Sequence, residues 1–461
     1  MTNDRDPEDH SNPASMRNPP LPVRLISAFL MNRVIDPKRQ AKARAKAEAL
    51  RRKSGMPHIV DYFHQTDDPY SHLAIQLLRP LLDRYDIELR THLIRGSGGK
   101  NQPRYEELAA WARRDVDLIA EPYGVTFPSG APTVPSSDLV SDAERALAIL
   151  DPHAFADIGP RISEAAWSGD EAALAAFPKA APDVARASAA EGSALLKKMH
   201  HYSGAMFHYH GEWYWGADRL DHLETHLRQN GAARRDSEDL IVTRPMPDVT
   251  GVDAKGLTLH FYPSLNSPYT AIIYDQSIAL REACGINLLT KPVLPMVMRG
   301  VPATMDKIRY IMFDTKREAD RNGVAFGPII PPIGTPVIKS YSLFPWTDGT
   351  GKTEALLGEL LRRAFSQAAP LHTEAGLKAG IEAAGVDWAE AQAHMGSEEW
   401  REGIADHQDE MIVGMNFWGV PCYRLEGPGD EPPLDVWGQD RLWVITEEIK
   451  RRAGAYTDSQ A

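Results

Sequence analysis

The strongest constraint on this chain is that it repeats itself. "YFHQTDDPYSHLAIQL" begins at Tyr62, and "FYPSLNSPYTAIIYDQ" begins at Phe261. Pro69-Tyr70 and Pro268-Tyr269 stand 199 residues apart, as do Asp115 and Asp314, and Gly124-Val125 and Gly323-Val324. A second signature, W-G-x-D-R-L, begins at Trp215 and again at Trp437, 222 apart. Four coincidences on one offset imply a duplicated unit. Its extra length falls in the second helical section and in the longer hairpin "LEGPGDEPPLDV".

Each copy reads as strand, helix and strand, then a helical insertion, then a hairpin and a closing helix. In the first copy "HIVDYFHQ" and "IELRTHLI" are strands on either side of one helix, "DPYSHLAIQLLRPLLDRYD". That β-α-β unit is long enough for a right-handed crossover between parallel neighbours. The section to about Leu196 is Ala-rich and helical, and a hairpin turns at His210-Gly211-Glu212. The expected class is therefore α/β. The expected domains are 56–232 and 256–455, joined by a polar linker, 233–255. An extension over 1–55 precedes them, disordered to about Pro20 and then helical and basic. With 461 residues the chain exceeds one comfortable core, which favours two domains.

Charge and cysteine use narrow the function classes. A net charge of −12 argues against a nucleic-acid track and against an anionic membrane surface, so neither nucleic acid nor membrane is expected as a partner. The N-terminus lacks the basic and apolar regions of a signal peptide, and no apolar run is long enough to span a bilayer, so a cytoplasmic protein is expected. The two cysteines, Cys284 and Cys422, exclude a disulfide framework and a Cys-rich zinc site. Histidines cluster at His200, His201, His208 and His210, but no thiolate or carboxylate frames them, and no metal is expected. "GTGKT" at Gly349 lacks the spacing of a phosphate loop.

Strand, S-P-Y opening a helix, helical insertion, G-V-P before a hairpin, then W-G-x-D-R-L: this order resembles the DsbA-like thioredoxin superfamily. It is most similar to the branch of 2-hydroxychromene-2-carboxylate isomerases and kappa-class glutathione transferases. The resemblance covers roughly 57–230 and 257–455, and the second copy matches better. It implies two tandem thioredoxin-like domains, each with a helical insertion between its β-α-β and β-β-α parts. Dithiol members carry C-x-x-C at the first helix N-terminus, where dipole and free N–H groups lower a thiol pKa. Here that corner holds Ser267 in one copy and Asp68 in the other. Dithiol exchange at the corner is excluded for want of a thiol.

A serine there can instead hold a thiolate brought by glutathione. A hydrogen bond to a charged group is worth about 1.5–3 kcal/mol. With the helix end, that is enough to bring a thiol from near ~8.5 to about neutral. The resemblance assigns this catalytic role to Ser267. It places Val420-Pro421 at the loop whose proline is cis, with the Val420 backbone pairing a peptide-like ligand. It also places Asp440 at the γ-glutamyl end of glutathione, and Lys307 in the pocket on a helix face shared with Tyr310 and Asp314. Asn266, in the same turn, can orient the ligand. Cys422 begins a strand and reads as a small buried residue.

The first copy departs from the pattern. Asp68 would raise rather than lower a thiol pKa, and "GAMF" replaces the G-V-P turn, with Met206 at the expected proline. Two functions follow. One is a glutathione-dependent isomerase or transferase acting on a small aromatic or unsaturated acid. The other is a thioredoxin-like binding scaffold of the DsbA family, labelled an oxidoreductase but without dithiol activity. Either a monomer or a homodimer fits a chain that carries its own duplicate.

Overall fold

The structure is a computed structural model that describes residues 7–8, 11–96, 98–235 and 239–460, with side chains placed as far as 454. It contains two four-stranded mixed sheets. The first joins β1 (His58–Gln65), β2 (Ile87–Ile94), β3 (Met206–Tyr209) and β4 (Glu212–Trp215) in the order β2-β1-β3-β4. The second joins β5 (Thr258–Tyr262), β6 (Asn287–Thr290), β7 (Cys422–Glu426) and β8 (Leu434–Trp437) in the order β6-β5-β7-β8. In each the first pair is parallel and the other two are antiparallel. The register repeats as well: Val60 faces Leu89, and 199 residues on Leu259 faces Leu288.

Burial follows the pairing. Tyr62 packs against Phe207 with tilted rings whose centroids are 4.9 Å apart, and Phe261 stacks on Tyr423 at 5.1 Å. These cross-strand aromatic pairs are fully buried and anchor equivalent places in the two cores.

The helix after the first strand differs between copies. In the second it runs unbroken over Pro268–Cys284. In the first it breaks into Pro69–Ile75 and Leu78–Arg84, where the sequence suggested a single helix. Pro80 explains the break: it has no N–H for the Gln76 carbonyl, and its ring crowds that carbonyl. Ala279 occupies the same place 199 residues later and leaves the helix intact. The first hairpin turns on His210 and Gly211, whose φ values of 49° and 84° suit a two-residue turn; Glu212 already belongs to β4.

The compact units are Gln40–Pro245 on one side, and Met1–Arg39 with Met246–Ala461 on the other. The segment before Arg39 thus packs with the second sheet. The sequence led us to expect disorder as far as Pro20. Within the described residues a short helix forms at Ala14–Arg17, and Asn12 donates to the Val297 carbonyl at 2.8 Å. Asn32 both donates to and accepts from the Ile329 backbone, at 2.9 and 2.8 Å. Side chains that satisfy loop carbonyls order a stretch whose composition alone lacks the apolar content to fold. Among the described residues, no helix is long and apolar enough to cross a membrane.

Candidate functional site

Sheet register builds the second-copy corner. Tyr262, the last residue of β5, pairs with Cys422, the first of β7. The chain leaving β5 therefore runs beside the chain entering β7, and Ser267 comes against Val420. The Val420–Pro421 peptide is cis. Ser267 caps the Pro268–Cys284 helix: its Oγ accepts the Thr270 N–H at 3.1 Å. The same hydroxyl donates to the Val420 carbonyl at 3.4 Å, the long limit of a hydrogen bond. Its proton is thus weakly held and able to turn to a better acceptor.

Three further groups expected at the site have these surroundings. The Val420 N–H finds no backbone acceptor among the described residues. The Asn266 Oδ1 is buried without a hydrogen-bond partner among the described residues. The Lys307 ammonium lies in the first turn of the Met305–Arg321 helix, and burial alone pushes its pKa down to about 8. Asp440 lies in the Gln439–Arg441 turn, half-buried, 3.7 Å from the Arg441 guanidinium. Arg441 itself is buried and packs as a structural residue. The helix that Ser267 caps packs against both the Met305–Arg321 helix and the Gln439–Arg441 turn. Ser267 and Val420 are thus in direct contact, whereas Lys307 and Asp440 are brought in on adjoining elements.

The cysteines take no part. Cys422 is buried, donates to the Gly419 carbonyl at 2.9 Å, and is pushed well above the usual thiol range by burial. Cys284 is buried near the end of its helix and donates to the Leu280 carbonyl.

The first-copy corner carries an engaged carboxylate. Asp68 caps the Pro69–Ile75 helix, accepting the Tyr70 and Ser71 N–H groups at 3.3 and 3.1 Å and the Ser71 hydroxyl at 2.8 Å. Burial nevertheless pushes its pKa up to about 7. The pairing of Phe63 with Met206 matches that of Tyr262 with Cys422. Met206 therefore stands at the place of Cys422, and Ala205 stands at that of Pro421. The expectation that Met206 replaces the proline is corrected by one residue, because register decides the alignment. The Gly216 N–H donates to the Ala205 carbonyl at 2.7 Å as the Gly438 N–H donates to that of Pro421 at 3.0 Å. Unlike proline, Ala205 has an N–H, and Ser71 Oγ accepts it at 2.9 Å. Gly204 is pressed so close that a Cβ there would lie 2.9 Å from Asp68 Oδ2 and 2.7 Å from Gln65 Cβ. Gly204 thus packs against Asp68 where Val420 stands against Ser267 in the second copy.

The histidines split between two environments. His208 faces Asp61, which also accepts from His92 at 2.8 Å, while His210 stacks on Tyr209 at 4.0 Å. Among the described residues, Glu48, His58 and His210 come within 4.8 Å of one another, a grouping invisible in sequence because it joins a helix, a strand and a turn. Both Glu48 oxygens already accept from Arg51, and one also accepts from Arg52, so this carboxylate is engaged in ion pairs.

The two sheets share one strand order, each with a capped helix after its first strand, and the second adds a cis-proline loop before its third strand, a thioredoxin-like α/β arrangement. Residues 258–450 match the family model of the DSBA-like thioredoxin domain. Solved structures similar to the chain include a 2-hydroxychromene-2-carboxylate isomerase, at 17% identity over 44% of this chain and 100% of that one, with a TM-score of 0.37. Others are a probable DsbA oxidoreductase from Streptomyces coelicolor (15%, 43% and 90%, TM-score 0.35) and the cytosolic disulfide reductase DsbM from Pseudomonas aeruginosa (16%, 44% and 98%, TM-score 0.32). No curated protein matches the sequence.

Proposed function

We propose that the second domain is a glutathione-dependent isomerase or transferase for a small aromatic or unsaturated acid. The observation that carries this reading is the Ser267 hydroxyl. It sits at a helix N-terminus in a corner without cysteine, and its proton is held by a 3.4 Å bond to Val420. Bound glutathione supplies a thiol nucleophile. Ser267 donates to the sulfur and, with the helix end, favours its thiolate. The Val420 backbone and the Asn266 amide, whose buried Oδ1 lacks a partner, hold the peptide portion. Asp440 takes the ammonium group, and Lys307 takes a carboxylate. The cytoplasm, where glutathione is abundant and reduced, is the compartment that suits this chemistry.

The test is isothermal titration of reduced glutathione into the wild type and a Ser267→Ala, Asp440→Ala double variant. Saturable micromolar-to-millimolar binding, lost in a variant that still unfolds cooperatively, supports the thiol site. Absence of heat at two temperatures from the folded wild type overturns it.

A second reading is a DsbA-family binding scaffold without dithiol chemistry. The Asp68 carboxylate, already engaged by Tyr70 and Ser71 and packed against Gly204, favours it for the first domain. In that reading the domain keeps the fold and lacks the pocket.

A further inference from the structure

The Leu21–Ile35 helix is apolar over most of its circumference, yet Arg24 and Asn32 point inward. Arg24 is only 4% exposed and donates to the Pro331 and Ile333 carbonyls at 2.9 and 2.8 Å. Asn32 and buried Ala28 and Ile35 complete the inner face. The outer face then carries Leu21, Leu25, Ile26, Phe29 and Leu30, between 45% and 61% exposed. Leu21, Leu25 and Phe29 follow at four-residue steps, so with Ile26 they make one continuous apolar stripe. Scattered exposed apolar residues need no explanation, but five within ten residues on one helix do.

Charge says what covers this stripe. Residues 10–39, in the same compact unit as the stripe, contain five Lys and Arg against one acidic residue, while the rest of the chain carries a net −16. Residues 10–35 contain no acidic residue at all. Arg33 reaches over the Phe29 ring at 5.7 Å, and exposed Lys38 and Arg39 follow the helix. A second copy seated on the stripe would bring two such basic segments together, which costs repulsion. An apolar stripe bordered by cations fits a surface that is apolar below and anionic above. Fifteen residues make a helix of about 22 Å, too short to span a bilayer but suited to lie on one.

We propose that the outer face of the Leu21–Ile35 helix docks the protein on an anionic lipid bilayer. The chain's overall acidity argues against a membrane partner in general; this local reversal of charge makes one segment the exception. The inference is independent of the glutathione reading.

The experiment is flotation of the full chain with phosphatidylcholine vesicles, alone or with about 30 mol% phosphatidylserine. It compares the wild type with a Leu25→Ser, Phe29→Ser variant, with sedimentation equilibrium run in parallel. Both substituted side chains are exposed, so the variant should fold. The expected result is roughly tenfold more wild-type protein on the anionic vesicles, falling about tenfold in the variant. No flotation at about 1 mM lipid overturns the proposal. So does flotation that survives in the variant. A wild-type dimer that the substitutions dissociate, without vesicle binding, also overturns it by assigning the stripe to a second copy.

Discussion

Tyr269 donates its phenolic proton to Asp314 at 2.8 Å, and 199 residues earlier Tyr70 donates to Asp115 at 2.7 Å. Both carboxylates are fully buried, and each tyrosine is the second residue of its helix. The bond ties the corner helix to the first helix of the insertion in both copies. Tyr269→Phe removes this donor from the buried Asp314, which keeps its ion pair with Arg317. The expected loss is about 1–3 kcal/mol in chemical denaturation, with Tyr70→Phe costing a similar amount in its own domain.

Ser267→Cys puts a thiol at the N-terminus of a seventeen-residue helix. The introduced thiol should titrate below the usual ~8.5, read as thiolate absorbance against pH. Cys284 and Cys422 are buried and should not react with a thiol reagent in the folded protein. An ordinary pKa for the introduced thiol would show that the corner does not stabilise thiolates.

Lys307 gives anion binding a pH signature. Its pKa is held near 8 by burial, so the ammonium is present below that pH and lost above it. An anionic ligand paired with it should bind progressively more weakly as pH rises from about 7 to about 9. Lys307→Met should bind weakly throughout and abolish that dependence. Titration of glutathione at three pH values checks this, after allowing for the ligand's own ionisation.

Asp68 gives stability a pH signature. Its folded pKa, about 7, lies above the ordinary 3.8, so folding favours the protonated form. That contribution is fully present below about pH 4 and disappears as pH rises through about 7. Asp68→Asn lacks this titration. Thermal melts should show the wild type losing stability relative to the variant between about pH 4 and about pH 7, with no further change above.

Gly204→Ala places a Cβ against Gln65 Cβ and the Asp68 carboxylate. A cost of about 1–3 kcal/mol is expected from overpacking, measured as a shift of the unfolding midpoint. A neutral outcome would mean that the neighbours of Gly204 give way to the added methyl group.

Much of this molecule is legible from residues alone. The common offset of Pro69, Asp115 and Gly124 with Pro268, Asp314 and Gly323 reveals the duplication. β1 and β2 occupy the segments that their hydrophobic pattern picks out. The absence of cysteine beside Pro268 excludes dithiol chemistry without any coordinates. Ser267 as a helix cap also follows from sequence, because capping is a local hydrogen bond, here to the N–H of Thr270.

Tertiary structure decided what depends on partners distant in sequence. Register between β1 and β3 moved the equivalent of Pro421 from Met206 to Ala205, since strand pairing rather than motif spacing aligns two loops. Docking of Asn12, Arg24 and Asn32 on loop carbonyls ordered an extension that composition reads as disordered at its start. It also set Arg24 and Asn32 of the Leu21–Ile35 helix inward. Gly204, 136 residues from Asp68, packs on its carboxylate. Burial sets the pKa of Asp68 and Lys307, and burial is a property of the folded surroundings. A sequence states which groups can ionise; only the packed chain determines how much water each of them keeps.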